Sequence, residues 1–220
     1  MNKRYGIVVS ARIDSSRVPR KIAKIINGRP ALTHLLMRLR KAGTPLFLAV
    51  PEEQRAEFDG FAPLVDGIFP GSKDDVLYRL YRCAVANGLD AIVRVTADKI
   101  LISHDTLQSA IAQYDASGSD YFIPSGFTDG TRFEIIDTAT LKAATVRYRG
   151  VEHVSYAVKA VTKHPMRFSA PNDEISNARF LIDYPEDIVA LDTIFSALGN
   201  DCSVADAVRY VERNQWIKKI

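Results

Sequence analysis

Apolar positions along this chain follow two rhythms. Short apolar runs of strand length recur at Tyr5 to Val9, Leu46 to Val50, Gly67 to Phe69, Ala91 to Ala97, Tyr121 to Pro124, Phe133 to Ile136, Arg167 to Ala170 and Phe180 to Ile182. Most are β-branched or aromatic and too short for helices. Between them, apolar residues fall at helical spacing. Leu32, Leu35, Leu36 and Leu39 form one stripe in Ala31 to Ala42, which Gly43 ends with Pro45 just beyond. Pro51 opens a helix to about Gly60, with Glu52 and Glu53 in its first turn. Val76, Leu77, Leu80 and Ala84 form another stripe, with Ser72 as its N-cap and Gly88 as its stop. Further helices are predicted over His104 to Ser117, Thr138 to Tyr148, Val151 to Lys163, Pro185 to about Leu198, and Val204 to about Arg213 with Ser203 as cap. Strands and helices alternate almost throughout. That order predicts a parallel or mixed sheet covered by helices on both faces.

The first strand runs into Ser10, Ala11, Arg12, Ile13, Asp14, Ser15, Ser16, Arg17, Val18, Pro19, Arg20 and Lys21. A loop of cations and hydroxyls at the carboxyl end of a first strand is where α/β proteins commonly bind ligands. Arginine grips phosphate oxygens as a fork, and lysine acts on them as a point charge. The loop therefore reads as a polyphosphate site, with a merely solvated basic loop as the alternative. Two carboxylates, Asp98 and Asp183, also follow apolar strands. On a parallel sheet they would meet at one edge, where magnesium could join them to substrate phosphates. Asp183 also fits a plain helix cap before Pro185.

Composition narrows the class. At 220 residues the chain can bury a sizeable core as one domain. The net charge of +3 is too mild for a nucleic-acid-binding face. Cys83 and Cys202 lie far apart and form no CxxC pair, which fits a reducing compartment. No apolar run approaches the roughly 20 residues of a membrane helix. No secretion signal precedes the first strand, so a cytoplasmic protein is expected. There is no G-x-G-x-x-G, no G-x-S-x-G and no zinc-spaced Cys/His cluster.

The stretch VVSARIDSSRVPRKIAKIINGRPAL resembles the opening of the cytidylyltransferases that activate sugar acids, most closely the spore-coat-polysaccharide type. That opening reads A-R-x-x-S-[ST]-R-[LV]-P-x-K. This chain departs at Asp14 and Arg20, where the family often has glycine. The segment GSKDDVL resembles the family's base-proximal G-S-x-D-D-V-L. ADKILI matches G-D-x-P-[LF]-[IV] at its Asp but carries Lys99 and Ile100. IDYPED is close to L-D-x-P-E-D. TDGTRFE keeps Asp129, Gly130 and Glu134 but has Arg132 for an Asp. VEHVSYAV keeps Glu152, His153 and Ser155 and has Val151 for an Arg.

The resemblance covers about residues 6 to 195 with the motifs in family order. It implies a three-layer α/β domain of the nucleotide-diphospho-sugar transferase type. It implies that Arg12 and Lys21 are catalytic, and that Ser10, Ala11, Arg12, Ser15, Arg17, Lys21, Gly71 and Ser72 bind CTP. Asp98 and Asp183 would hold Mg2+. Asp129, Glu134, Glu152 and His153 would face the sugar-acid acceptor. The region of about 125–170 would also serve a homodimer, with Val154, Ala157, Val158 and Val161 facing either the partner or the core. For the base, carbonyls of Ser10 to Arg12 would accept from the cytosine amine. The Ser72 hydroxyl or an amide near Gly71 would donate to its carbonyl. Two other functions compete: a nucleotide binder that has lost turnover, and a glycosyltransferase of the same broad fold, although no D-x-D motif is present.

Overall fold

The computed structural model describes residues 3–151 and 153–214. The chain opens with β1 (Tyr5–Ser10), whose middle four residues are buried. The basic loop follows and ends in a 3-10 turn, Lys21–Ala23. A small hairpin, β2 (Ile25–Ile26) with β3 (Arg29–Pro30), leads into α1 (Ala31–Arg40). The sequence reading did not anticipate this hairpin, because strands of two residues leave no periodicity. Next come β4 (Leu46–Pro51), β5 (Gly67–Gly71), α2 (Val76–Ala86) and β6 (Ala91–Thr96). The chain continues through α3 (His104–Ser117), β7 (Tyr121–Ser125), β8 (Glu134–Asp137), α4 (Thr138–Arg147) and α5 (Val154–Lys159). It ends with β9 (Pro165–Ser169), α6 (Pro185–Leu198) and α7 (Val204–Arg213).

Seven strands form one sheet in the order β5-β4-β1-β6-β8-β7-β9. Strand β8 runs antiparallel to both its neighbours, and the other pairings are parallel. The two faces of the sheet carry separate cores. Ile7, Val9, Val93 and Val95 pack with Leu35, Leu107, Leu191 and Val208 from α1, α3, α6 and α7. Val8, Ala49 and Ile92 pack with Leu77, Leu80, Leu141 and Val158 from α2, α4 and α5. This is the expected three-layer α/β arrangement.

Four local expectations are corrected. Glu52–Leu64 forms 3-10 turns rather than an α-helix, with Pro63, which lacks an N–H, inside it. Asp75 caps α2 in place of Ser72, its side chain accepting from the Tyr78 amide at 2.9 Å. The helix expected over Val151 to Lys163 is only α5. Its residues Val154, Ala157 and Val158 are fully buried in the core, so that stripe is not a surface for a partner. Phe180 to Ile182 is not a strand. It hangs beside the sheet through an isolated bridge of Asp129 with Arg179 and a bond from the Phe180 amide to the Asp129 carbonyl, 2.8 Å.

Candidate active site

Strands β1 and β6 are parallel neighbours, so the loops that leave them rise from one edge of the sheet. Between those loops and α2 lies a cavity of about 230 Å³. It is lined by the basic loop from Ser10 to Lys21, by Val76 and Arg79 of α2, and by Arg94, Thr96 and Asp98 at the end of β6. Ser10, Ala11, Arg12, Ser15, Arg17 and Lys21 thus line one cavity. Gly71 and Ser72 are not among the lining residues.

The chain's departures at Asp14 and Arg20 have structural partners. Asp14 pairs with Lys73, itself a departure, and Arg20 pairs with Glu57 at 2.8 Å. Arg20 has φ 55°, in the left-handed region that favours glycine, which accounts for the family's residue there.

Lys21 is the focus of the part of the cavity lined by Asp98. Its Nζ donates to Asp98 Oδ2 at 2.8 Å, to the Ile182 carbonyl at 2.8 Å and to Asp183 Oδ1 at 3.3 Å. The two carboxylates, 85 positions apart in sequence, therefore converge on one cation. Backbone geometry brings them there: the Ile182 amide donates to the Asp98 carbonyl at 3.0 Å. Burial would raise the Asp98 carboxyl, but the charge and hydrogen bond of Lys21, with a bond from Thr96, hold it below the usual carboxylate range.

Asp183 does not cap α6. Tyr184 occupies the N-cap position, and Asp187 Oδ2 accepts from the amides of Asp183 and Tyr184 at 2.6 and 2.8 Å. That leaves the Asp183 carboxylate to Lys21, to Arg17 at 2.9 Å and to Arg179 at 3.5 Å. Arg17 and Arg179 also lie over the Tyr184 ring, 5.2 and 5.4 Å from its centroid.

The donors facing Lys21 are hard oxygens, two of them anionic, which suits a small divalent cation. Among the described residues no cluster of three or more His, Cys, Asp or Glu could hold a metal unaided. Substrate phosphates would have to complete the shell. Lys99, adjacent to Asp98, points elsewhere: its Nζ donates to the Arg132 carbonyl at 3.1 Å. Burial and the neighbouring Arg94 push its ammonium down to about 8.

Beyond the aspartates, the expected acceptor residues are placed unevenly. Glu134 is buried and both its oxygens are occupied, Oε1 by the Tyr121 hydroxyl and Oε2 by Arg94 Nη1. Arg94 also donates to Ser155 Oγ at 3.2 Å. Glu134 therefore reaches the cavity only through Arg94. Asp129 pairs with Arg132 at 3.2 Å and Arg179 at 3.5 Å. His153 is exposed at the start of α5, with no side-chain cap bond. Glu152 lies outside the described residues.

Sequence reasoning missed Arg79. It is 3% exposed, yet it lines the cavity. Its Nη1 donates to the Ser72 carbonyl, and its Nε has no partner. Its stem passes Gly71 so closely that a Cβ there would lie 2.9 Å from Arg79 Cγ. Burial pulls the guanidinium down to about 10, and the neighbouring Arg12 adds to this, so it remains charged at neutral pH. The available signal was a lone cation between Val76 and Leu80 on the inner stripe of α2.

Comparison with known proteins agrees with this fold. The cytidylyltransferase family model matches residues 6–171. The spore coat polysaccharide biosynthesis protein SpsF of Bacillus subtilis is 23% identical over 94% of this chain and 93% of its own length. A 3-deoxy-manno-octulosonate cytidylyltransferase of Hydrogenovibrio crunogenus is 28% identical over 52% of this chain and 48% of its own. A cytidylyltransferase structure from Leptospira borgpetersenii superposes with a TM-score of 0.83 at 24% identity, covering 98% of this chain and 96% of that one. A CMP:2-keto-3-deoxy-manno-octonic acid synthetase complexed with CTP has the same fold, with a TM-score of 0.64 at 12% identity over 88% of this chain and 99% of that one. By the breadth of the family match, the chain belongs to the cytidylyltransferases, CTP-dependent nucleotidyltransferases.

Proposed function

We propose that this protein joins CMP to the hydroxyl of a sugar acid or a related acid, consuming CTP and releasing pyrophosphate. The observation that carries this reading is the meeting of Lys21, Asp98 and Asp183 at the mouth of the cationic loop. The acceptor hydroxyl oxygen attacks the α-phosphorus of CTP, forms a new P–O bond and gives up its proton to solvent. The bond from that phosphorus to the bridging oxygen breaks, and the electron pair leaves on pyrophosphate. Arg12, Arg17 and Lys21 hold the phosphates and oppose the charge that builds on the leaving group. Ser10, Ala11 and Ser15 supply short hydrogen-bonding groups along the same cavity. A magnesium ion, held by Asp98 and Asp183 together with phosphate oxygens, would neutralise charge at the reacting phosphate.

The acceptor lies on the side of Arg94, Asp129 and His153, with Glu134 fixing Arg94. We further read the chain as a cytoplasmic homodimer. No helix among the described residues is long and apolar enough to cross a membrane. Val146 and Tyr156 are exposed apolar side chains in the proposed interface region. Sedimentation at micromolar concentration tests the dimer. Pyrophosphate release from CTP with magnesium and a panel of sugar acids tests the reaction. Release with none of them, while CTP still binds, would favour a nucleotide-binding protein without turnover.

A further inference from the structure

We infer that Arg179 is a positioning residue, a guanidinium braced on the buried Asp187 that holds the Asp183 carboxylate in place beside Lys21 and Asp98. This rests on the reading of Asp98 and Asp183 as ligands of a divalent ion.

The two oxygens of Asp183 have separate partners. Oδ1 pairs with Arg17 at 2.9 Å and with Lys21 at 3.3 Å. Lys21 also pairs with Asp98 at 2.8 Å, so Oδ1 is the oxygen that shares a cation with Asp98. Oδ2 pairs with Arg179 Nη2 at 3.5 Å. The carboxylate is thus held across its width. Arg17 and Lys21 line the cavity, and a polyphosphate there would draw them onto its own oxygens. Arg179 is the partner that then remains on Asp183.

Arg179 is itself fixed from several directions. Its Nε and Nη2 donate to the two oxygens of Asp187 at 3.1 and 3.2 Å, the parallel fork that arginine forms on a carboxylate. Its Nη1 lies 3.5 Å from Asp129 Oδ2, and a backbone bridge joins the same two residues. Its guanidinium lies over the Tyr184 ring, 5.4 Å from the centroid.

Asp187 does more than cap α6. It is 4% exposed, and its Oδ2 accepts from the amides of Asp183 and Tyr184. One carboxylate therefore fixes both the backbone at Asp183 and the cation on the Asp183 side chain. Arg179 Nη2 stands between Asp187 Oδ2 and Asp183 Oδ2 and offsets the repulsion of these two anions. A lysine at 179 would keep the charge but concentrate it at one point, so it could not span Asp129, Asp183 and Asp187 together. Groups that orient a metal's ligands set its affinity, and losing one typically weakens binding about ten- to hundredfold.

The test is a Mn2+ titration followed by electron paramagnetic resonance, with the α,β-methylene analogue of CTP at saturation. It compares the unaltered protein, Arg179→Lys, Asp183→Asn and the double variant. Arg179→Lys should weaken Mn2+ binding about tenfold or more. Its affinity for the nucleotide analogue in EDTA should stay unchanged. Adding Arg179→Lys to Asp183→Asn should cost little more than Asp183→Asn alone, because Arg179 acts through Asp183. The inference is overturned if Arg179→Lys binds Mn2+ as the unaltered protein does, or if its loss persists in full beside Asp183→Asn. Weaker nucleotide binding in EDTA also overturns it, by making Arg179 a phosphate contact. Should Arg179→Lys fail to fold, Asp187→Asn is measured in its place against the same outcomes. That variant can still accept from the amides of Asp183 and Tyr184 but lacks the charge that holds Arg179. If Asp183→Asn itself leaves Mn2+ affinity unaltered, the metal reading falls and the inference with it.

Discussion

The ammonium of Lys21 lies 2.8 Å from Asp98 Oδ2 and draws together the basic loop, the end of β6 and the segment before α6. It occupies a position between two carboxylates that would otherwise repel. Replacing Lys21 with Met should therefore do two separable things. Turnover should fall by about 2–4 kcal/mol in the transition state, as for other preorganised electrostatic groups. Without nucleotide, a divalent ion should bind the freed carboxylates more tightly, because Lys21 no longer competes for them. Initial rates of pyrophosphate release and Mn2+ titration by electron paramagnetic resonance read the two effects. Unchanged turnover would remove Lys21 from the mechanism.

Arg94 and Glu134 face each other across β6 and β8 as register partners and form a largely buried ion pair. Burial would raise the Glu134 carboxyl, but Arg94 and the hydroxyls of Tyr121 and Ser155 keep it below its ordinary range. Breaking one side of such a pair strands a charge. Glu134→Gln should cost about 3–5 kcal/mol of stability, the range for an uncompensated buried partner. Tyr121→Phe removes one hydrogen bond and should cost about 1 kcal/mol. Urea denaturation of each variant checks the order. Equal losses would mean that Arg94 finds another counter-charge.

Glu174 offers a pH test away from the active site. Burial raises its carboxyl above the ordinary value, with Asp173 and Asp105 adding to the effect against hydrogen bonds from Ser103 and Thr106. The folded protein thus holds this proton more tightly than the unfolded chain does. Stability from the protonated form is present below the unfolded value, about 4.3, and is lost as pH rises through the folded value. Glu174→Gln stays neutral and can still accept from Thr106 Oγ1, now 2.9 Å from Glu174 Oε2. Its melting temperature should exceed the parent's at pH 7, and the gap should shrink toward pH 4. Thermal scans across that range decide. A gap independent of pH would assign the gain to packing.

How much of this was legible in the sequence depends on how local each feature is. Helix α3 was read to the residue, because Ser103 caps it and Gly118 closes it in the left-handed conformation. The basic loop was legible because Arg12, Ser15, Arg17 and Lys21 are close in sequence and line one cavity. Asp98 was legible as a strand-end acid and Asp183 by its motif, although the segment before Asp183 is not a strand, and only the fold brought the two to one lysine. The two-residue strands β2 and β3 left no pattern to read. Arg79 was hidden by its setting, a cation inside an apolar helical stripe. Glu134 was recognised by motif, yet its burial against Arg94 and Tyr121 depends on which face of β8 it occupies, and the strand is only four residues long.

Two positive-φ residues, Arg20 and Gly130, should respond unequally to substitution, and the comparison separates backbone strain from side-chain contact. Arg20→Gly relieves a left-handed conformation that costs about 1–3 kcal/mol. It also frees the unfolded chain, at about 0.5–1 kcal/mol. It removes the exposed pair with Glu57, worth about 0–1 kcal/mol. These terms nearly cancel, so stability should change little, and the loop should keep its nucleotide affinity. Gly130 has φ 93° and sits against another chain segment: an added Cβ would lie within 3 Å of the backbone of Phe180 and Leu181. Neither backbone can yield without breaking the bond from the Phe180 amide to the Asp129 carbonyl. Gly130→Ala should therefore cost about 2–6 kcal/mol, from left-handed strain of about 1–3 and crowding of about 1–3. Because the displaced segment also carries Ile182 and Asp183, the variant should lose metal affinity in the presence of CTP even where it remains folded. Chemical denaturation and a Mn2+ titration with CTP read both effects. A Gly130→Ala protein with unaltered stability would show that the segment from Phe180 to Asp183 is not fixed by this contact.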